Sequence, residues 1–136
     1  MKSFAPILIV LALASAYRFW YQSIRGKIKG AKPLGVRLNA SILGRELGTR
    51  GTLVQFSSAF CTPCRATRTL LENVVAGIED VTHIEIDAEA NLELVRTLDI
   101  RSTPTTLILN SQGTEVGRAV GAPKREQVLT ALAALA

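Results

Sequence analysis

The chain has 136 residues, 48% of them hydrophobic, and a formal net charge of +5. That length allows one compact domain with an appendage and excludes two ordinary domains. Residues 1–37 hold seven basic residues and no acid, whereas residues 38–136 hold nine basic and eleven acidic residues. Because the basic segment adjoins an apolar one, the charge pattern indicates attraction to anionic lipid and argues against a nucleic-acid-binding protein.

The N-terminal segment, residues 1–21, is almost entirely apolar from Phe4 to Tyr21 and carries one charge there, Arg18. As a helix, this stretch would be roughly 27 Å long, close to the thickness of a hydrocarbon core. We therefore predict a transmembrane anchor, whose end carries an aromatic cluster typical of a membrane interface. A cleaved signal peptide is the alternative, because the small residues 14–16 offer a cleavage site.

Residues 22–39 mix Gly, Pro, Lys and Arg, and we predict a basic juxtamembrane linker with a candidate edge strand near Val36 to Leu38. Basic residues are more numerous after the apolar run than before it. For a spanning helix, this asymmetry places the following domain in the cytoplasm. Residues 40–136 are then the globular domain.

Helix and strand patterns alternate through residues 40–136. Helical spacing predicts four helices, at residues 40–47, 63–76, 90–98 and 124–135. Short apolar or β-branched runs predict four strands, at residues 52–57, 81–86, 105–110 and 114–120. Within the last two helices, Leu92 and Leu129 are among the residues expected to be buried. The order of elements predicts an α/β domain with a central mixed β-sheet flanked by helices, ending in an antiparallel hairpin.

The two cysteines, Cys61 and Cys64, lie where a predicted strand passes into a predicted helix. Two intervening residues at a helix start let both sulfurs meet within disulfide geometry. The unpaired N–H groups of the first turn and the helix dipole favour a thiolate at Cys61, which makes it the nucleophile. Cys64, one turn further in, is expected to stay protonated longer and to resolve a mixed disulfide. Pro63 suits the first turn because its missing N–H is not needed there.

A zinc half-site is the main rival for such a cysteine pair. The sequence has no second pair of this kind and one histidine, His83, so Cys and His cannot supply four ligands. Two purely structural thiols are the other alternative. We expect a redox pair without a metal or bound cofactor, since the two sulfurs carry both electrons.

The segment Phe56-Ser-Ser-Ala-Phe-Cys-Thr-Pro-Cys-Arg65 resembles the active-site segment of the thioredoxin family. Three later stretches resemble that family in the same order: His83-Ile-Glu-Ile-Asp87, Leu98-Asp-Ile-Arg-Ser-Thr-Pro-Thr105 and Val120-Gly-Ala122. The resemblance covers residues 50–136 and implies a thioredoxin-like fold.

The same resemblance implies several roles around the cysteines. It implies that Pro104 is cis and packs against the disulfide, and that the Thr103 backbone pairs with an extended substrate strand. It implies that Gly121 lets a partner backbone approach closely. The remaining substrate-binding surface would be formed by Phe60, Thr62 and Pro63.

The sequence also departs from the family. Gln55 stands where the family often has a buried acid, and an amide cannot accept the proton of the resolving thiol, so we expect slower resolution by Cys64. His83 stands where the family often has Lys, and it is either a proton relay or a simple strand-side histidine. Arg65 and Arg68 either favour the Cys61 thiolate or are solvated helix charges.

The sequence therefore predicts a membrane-anchored thiol–disulfide oxidoreductase that reduces protein disulfides through Cys61 and Cys64. Its expected partners are disulfide-containing proteins, an upstream reductase as electron donor and membrane lipid, with no nucleic acid. The Thr-Pro dipeptide lacks the His of strongly oxidising relatives, which favours a reductant. Two alternatives stay open: a redox-inactive binding module that uses the peptide groove, and an extracytoplasmic thioredoxin-like reductase in cytochrome maturation.

Overall fold

The computed structural model describes residues 4–24, 28–30 and 37–135. The strands there are β1 (Ile28–Gly30), β2 (Gly51–Ser57), β3 (Val81–Asp87), β4 (Thr105–Asn110) and β5 (Glu115–Val120). The helices are α1 (Ala5–Ile24), α2 (Ala40–Leu43), α3 (Thr62–Ala76), α4 (Leu92–Thr97) and α5 (Arg125–Ala133).

The strands form one mixed sheet in the order β1-β5-β4-β2-β3. β2 and β3 run parallel and are connected through α3, whereas β4 pairs antiparallel with both β2 and β5. The turn between β4 and β5 is closed by Asn110, whose Oδ1 accepts the N–H groups of Gln112 and Thr114. This topology confirms the predicted α/β fold with a mixed sheet, a helical crossover and a C-terminal hairpin.

The core lies on both faces of β2, all seven residues of which are buried between β3 and β4. Side chains alternate across a strand, so Val54 and Phe56 face one layer while Leu53 faces the other. The first layer includes Leu98 and Ile100 after α4. The second layer consists mainly of residues from α3 and α5, among them Leu71, Val74, Val128 and Leu132.

Three predicted details are wrong for local reasons. α2 ends at Leu43 instead of residue 47, because Gly44 adopts a left-handed φ of 73° and donates its N–H to Ala40. Leu92 is 55% exposed because it is the first residue of the six-residue α4, and later residues of that helix make its contacts with the core. Leu129 is 38% exposed because the buried stripe of the last helix runs through Val128 and Leu132.

The edge strand lies elsewhere than predicted. Val36 is outside the described residues, and Arg37 forms an isolated bridge to Thr114. The edge strand is β1, which pairs antiparallel with β5 and places Ile28 opposite Ala119. The predicted linker, residues 22–39, therefore contains the end of α1 and a strand that extends the sheet.

The predicted transmembrane anchor is not supported. Among the helices in the described part of the chain, none is both long enough and apolar enough to cross a membrane. α1 has 20 residues, but its near-continuous apolar stretch ends at Tyr17, and Arg18 and Gln22 follow. A span needs about 20 predominantly apolar residues. The orientation inferred from the basic residues presupposes a span, so it stays a prediction.

Replacing Phe56 tests the core, with Phe60 as a matched control. Phe56 is fully buried and Phe60 fully exposed. We expect Phe56→Ala to lower the free energy of unfolding by about 3–5 kcal/mol, because it leaves a cavity between the sheet and its covering layer. Phe60→Ala should change it by less than about 0.5 kcal/mol. Urea denaturation followed by circular dichroism measures both, and equal effects would contradict this core.

Candidate active site

The two cysteines stand at the junction between β2 and α3. Cys61 is the N-cap of α3 with an extended backbone, φ −117° and ψ 100°, and its Sγ accepts the N–H of Cys64 at 3.2 Å. The two residues are joined by a disulfide, with their Cα atoms 5.2 Å apart. Pro63 occupies the first turn, where no N–H is needed. The predicted placement of the pair at a strand-to-helix junction is confirmed.

The two sulfurs differ in exposure. Cys61 is half-buried, whereas Cys64 is 1% exposed. After reduction, the N–H of Cys64 and the positive end of α3 favour a thiolate at Cys61. An external disulfide can therefore reach Cys61 first, and Cys64 is protected behind it.

A groove of about 370 Å³ lies beside the cysteines. The Thr103-Pro104 peptide is cis, as the resemblance implied, and Gly121 donates its N–H to the Pro104 carbonyl at 2.8 Å. Gly121 has a φ of 89°, a left-handed conformation that favours glycine. Four predicted site residues line this groove: Pro63, Thr103, Pro104 and Gly121. The other lining residues are Gln22, Ser102, Val120, Ala122 and Lys124.

A second, more polar cleft of about 270 Å³ lies at the disulfide. It is lined by Ser57, Ser58, Ala59, Cys61, Cys64, Arg65, Arg68, Glu85 and Asp87. Phe60 and Thr62 are exposed beside Cys61 and line neither of these two clefts. The predicted site residues are therefore neighbours along one surface without all facing the same groove.

Two residues that the sequence did not single out border the site. The hydroxyl of Ser58 lies 3.0 Å from that of Thr103, which ties the cis-proline loop to the segment before the cysteines. Gln22 of α1 lines the groove because β1, a few residues later, pairs with the end of β5. Ser58 lies within the recognised motif, but nothing in the sequence pointed to Gln22.

The charge of Arg68 is paired. Its guanidinium makes two hydrogen bonds of 2.6 Å to the carboxylate of Glu85, and this hydrogen bonding and opposite charge raise the pKa of Arg68. Arg65 is exposed on the first turn of α3. Since Glu85 offsets the charge of Arg68, Arg65 is the better placed of the two to favour the Cys61 thiolate.

Gln55 and His83, which the sequence singled out separately, are in contact. The amide nitrogen of the fully buried Gln55 lies 2.8 Å from the carbonyl of Cys64, and its oxygen lies 3.0 Å from Nε2 of His83. Burial lowers the pKa of the half-buried His83. A polar connection therefore leads from Cys64 toward the surface.

The mixed sheet and the capped cysteine pair define a thiol–disulfide oxidoreductase centre. A family model described as Thioredoxin matches residues 43–134, and the chain belongs to the thioredoxin family. The match begins after α1 and β1, so these two elements lie outside the family domain.

Similar proteins include thioredoxins from a bacterium and from two plants. The chain is 39% identical over 74 residues to thioredoxin of Chlamydia pneumoniae, covering 54% of this chain and 72% of that one. It is 32% identical over 78 residues to thioredoxin H2-1 of Oryza sativa, covering 57% of this chain and 56% of that one. The crystal structure of thioredoxin NaTrxh from Nicotiana alata superposes with a TM-score of 0.58 and 26% identity, covering 64% and 74% respectively. The chain thus spans little more than half of the rice relative.

The difference in exposure between the cysteines predicts selective alkylation. After reduction and brief treatment with iodoacetamide near neutral pH, we expect the label on Cys61 and little on the buried Cys64. Peptide mass spectrometry measures the two sites, and denaturation in urea before labelling is the control that should make them equal. Preferential labelling of Cys64 in the folded protein would contradict the assignment of Cys61 as the nucleophile.

Proposed function

We propose that this protein reduces disulfide bonds in partner proteins, with Cys61 as the nucleophile and Cys64 as the resolving thiol. The supporting observation is the asymmetry of the pair: Cys61 caps α3 at the surface, whereas Cys64 is 1% exposed behind it. Membership of the thioredoxin family supports the same reaction.

The reaction has two exchange steps. The Cys61 thiolate attacks a substrate sulfur, a bond forms between them, and the electron pair of the broken substrate bond leaves on the second substrate sulfur, which takes up a proton. Cys64 then loses its proton and attacks Sγ of Cys61, which releases the first substrate sulfur as a thiol. The substrate gains two electrons, the protein pair becomes a disulfide, and an upstream dithiol reductase returns it to the reduced form.

The groove supplies the proposed docking surface for the substrate. An extended segment that carries the substrate disulfide would lie against Thr103 and the cis Pro104, with Gly121 permitting close backbone approach. Phe60 and Thr62 would extend this surface, since both side chains are exposed beside Cys61. Phe60 is fully exposed, which makes it an apolar contact available to a partner.

Trapping the mixed disulfide tests the reaction. We expect reduced Cys64→Ser to form a covalent adduct with insulin that persists on a non-reducing gel, because the second exchange step is blocked. Cys61→Ser is the matched control and should form no adduct and show only background insulin reduction.

The same pair of variants separates the alternatives. Turnover of insulin by Cys61→Ser would contradict this mechanism. Unchanged cellular function of Cys61→Ser would instead favour the redox-inactive binding module.

We also propose that α1 associates with an anionic membrane surface. Its large apolar side chains, from Ile7 to Tyr21, are exposed, and Tyr17 is in ring contact with Trp20 and Tyr21. Four basic residues follow between positions 25 and 32 of the sequence. Apolar burial and attraction to anionic lipid act together at such interfaces. The negative surface potential of the cytoplasmic leaflet suits these basic residues, so we propose a cytoplasmic domain, with an extracytoplasmic domain as the alternative.

Trp20, the single tryptophan of the chain, reports on this association. We expect its fluorescence to shift to shorter wavelength when vesicles containing phosphatidylserine are added, because the exposed indole would enter the interface. Phosphatidylcholine vesicles should give a smaller shift, and salt should weaken the response to phosphatidylserine. An unchanged spectrum with both vesicles would contradict the proposal.

A further inference from the structure

Gln55 joins the resolving cysteine to the histidine. It is fully buried on β2, and its Nε2 makes hydrogen bonds to the Cys64 carbonyl at 2.8 Å and to the Ser57 hydroxyl at 3.0 Å. Its Oε1 lies 3.0 Å from Nε2 of His83 on β3. The parallel register sets His83 opposite Leu53, so Gln55 and His83 project from the same face of the sheet, toward α3.

The contacts determine the proton position on His83. A backbone carbonyl only accepts hydrogen bonds, so the amide atom facing Cys64 is the nitrogen, and the atom facing His83 is the oxygen. An amide oxygen also only accepts, so Nε2 of His83 carries a hydrogen in both the neutral and the charged ring. Titration of His83 therefore occurs at Nδ1 and leaves its bond to Gln55 in place.

We propose that His83 and Gln55 are positioning residues for the resolving step: His83 orients the Gln55 amide, and Gln55 holds the carbonyl of Cys64 in the first turn of α3. The proposal rests on the proposed function, because it concerns the attack of Cys64 on Cys61. Without the His83 donor, the buried amide oxygen loses its partner and the amide loses the contact that orients it.

The charge of His83 adds a pH dependence to that step. Burial lowers its pKa, Glu72 and Glu85 raise it, and Arg45 and Arg68 lower it, with burial the largest effect. The ring is therefore neutral at neutral pH. When acid protonates Nδ1, the bond to Gln55 becomes charge-assisted, and a cation that the Gln55 amide connects to the Cys64 backbone favours the thiolate of Cys64 over its thiol. As the pH is lowered, the rate of the resolving step should then decrease less steeply than it would if protonation of Cys64 were the only effect.

The aromatic disulfide dithiobis-nitrobenzoate resolves the two exchange steps in time. Attack by Cys61 releases one coloured thiolate and leaves the other bound to the protein. Attack by Cys64 on Sγ of Cys61 releases the second and closes the protein disulfide, so two thiolates appear for each dithiol oxidised. Stopped-flow absorbance of the reduced full chain therefore gives one rate for each cysteine.

Two substitutions at His83 separate its donor from its charge. His83→Leu removes both, and we expect the second phase to slow about fivefold, as for one lost hydrogen bond, with the first phase unchanged. His83→Gln keeps an N–H donor and should restore most of the rate near pH 8. At acid pH, below the lowered pKa of His83, however, its second phase should fall more steeply than that of the wild type. Thr82→Ala, on the neighbouring residue of β3, is the control and should change neither phase.

Several outcomes would overturn the proposal. An unchanged second phase in His83→Leu would exclude a positioning role, and equal slowing of both phases would indicate general structural damage instead. If His83→Leu does not fold, the pH profile of His83→Gln decides, and a profile identical to that of the wild type rejects the charge effect. A wild-type protein that releases no second thiolate would instead reject the proposed function itself.

Discussion

The junction between β2 and α3 is the constraint on which the rest of the molecule depends. Cys61 caps α3 with an extended backbone, and a short turn joins it to β2, whose position is fixed because it is buried between β3 and β4 along its whole length. α3 is held in line with that strand by Leu71 and Val74, which pack against the sheet. The N–H of Cys64 thus points at Sγ of Cys61 within the folded domain, so for the proposed reaction this donor is already in place.

The groove beside this junction is assembled from segments that lie far apart in the chain. The hydroxyl contact between Ser58 and Thr103 spans 45 residues, and the bond from Gly121 to Pro104 joins the end of β5 to the start of β4. Both bonds lie next to a strand end, where the sheet sets the backbone position. The groove and the cysteine pair therefore lie at the same edge of the sheet.

Gln55 shows how a polar side chain is accommodated in such a core. A fully buried amide is costly unless its donors and acceptor are satisfied, and here Ser57, Cys64 and His83 satisfy them. The same hydrogen bonds fix which end of the Gln55 amide faces Cys64, and they require a hydrogen on Nε2 of His83. Gln55, which stands where the family often has a buried acid, is thereby connected structurally to Cys64.

Local patterns in the sequence were sufficient for the order of strands and helices in the domain, the mixed sheet, and the placement of Cys61 and Cys64, because hydrophobic periodicity and helix capping act over a few neighbouring residues. The cis form of Pro104 followed from family resemblance. Only the tertiary structure decided that Ile28–Gly30 forms the edge strand, that Gln22 reaches the groove, that Leu92 and Leu129 are exposed, and that Gln55 contacts His83. These features depend on strand register and on which helix face meets the sheet, and both are set by contacts between residues distant in the chain.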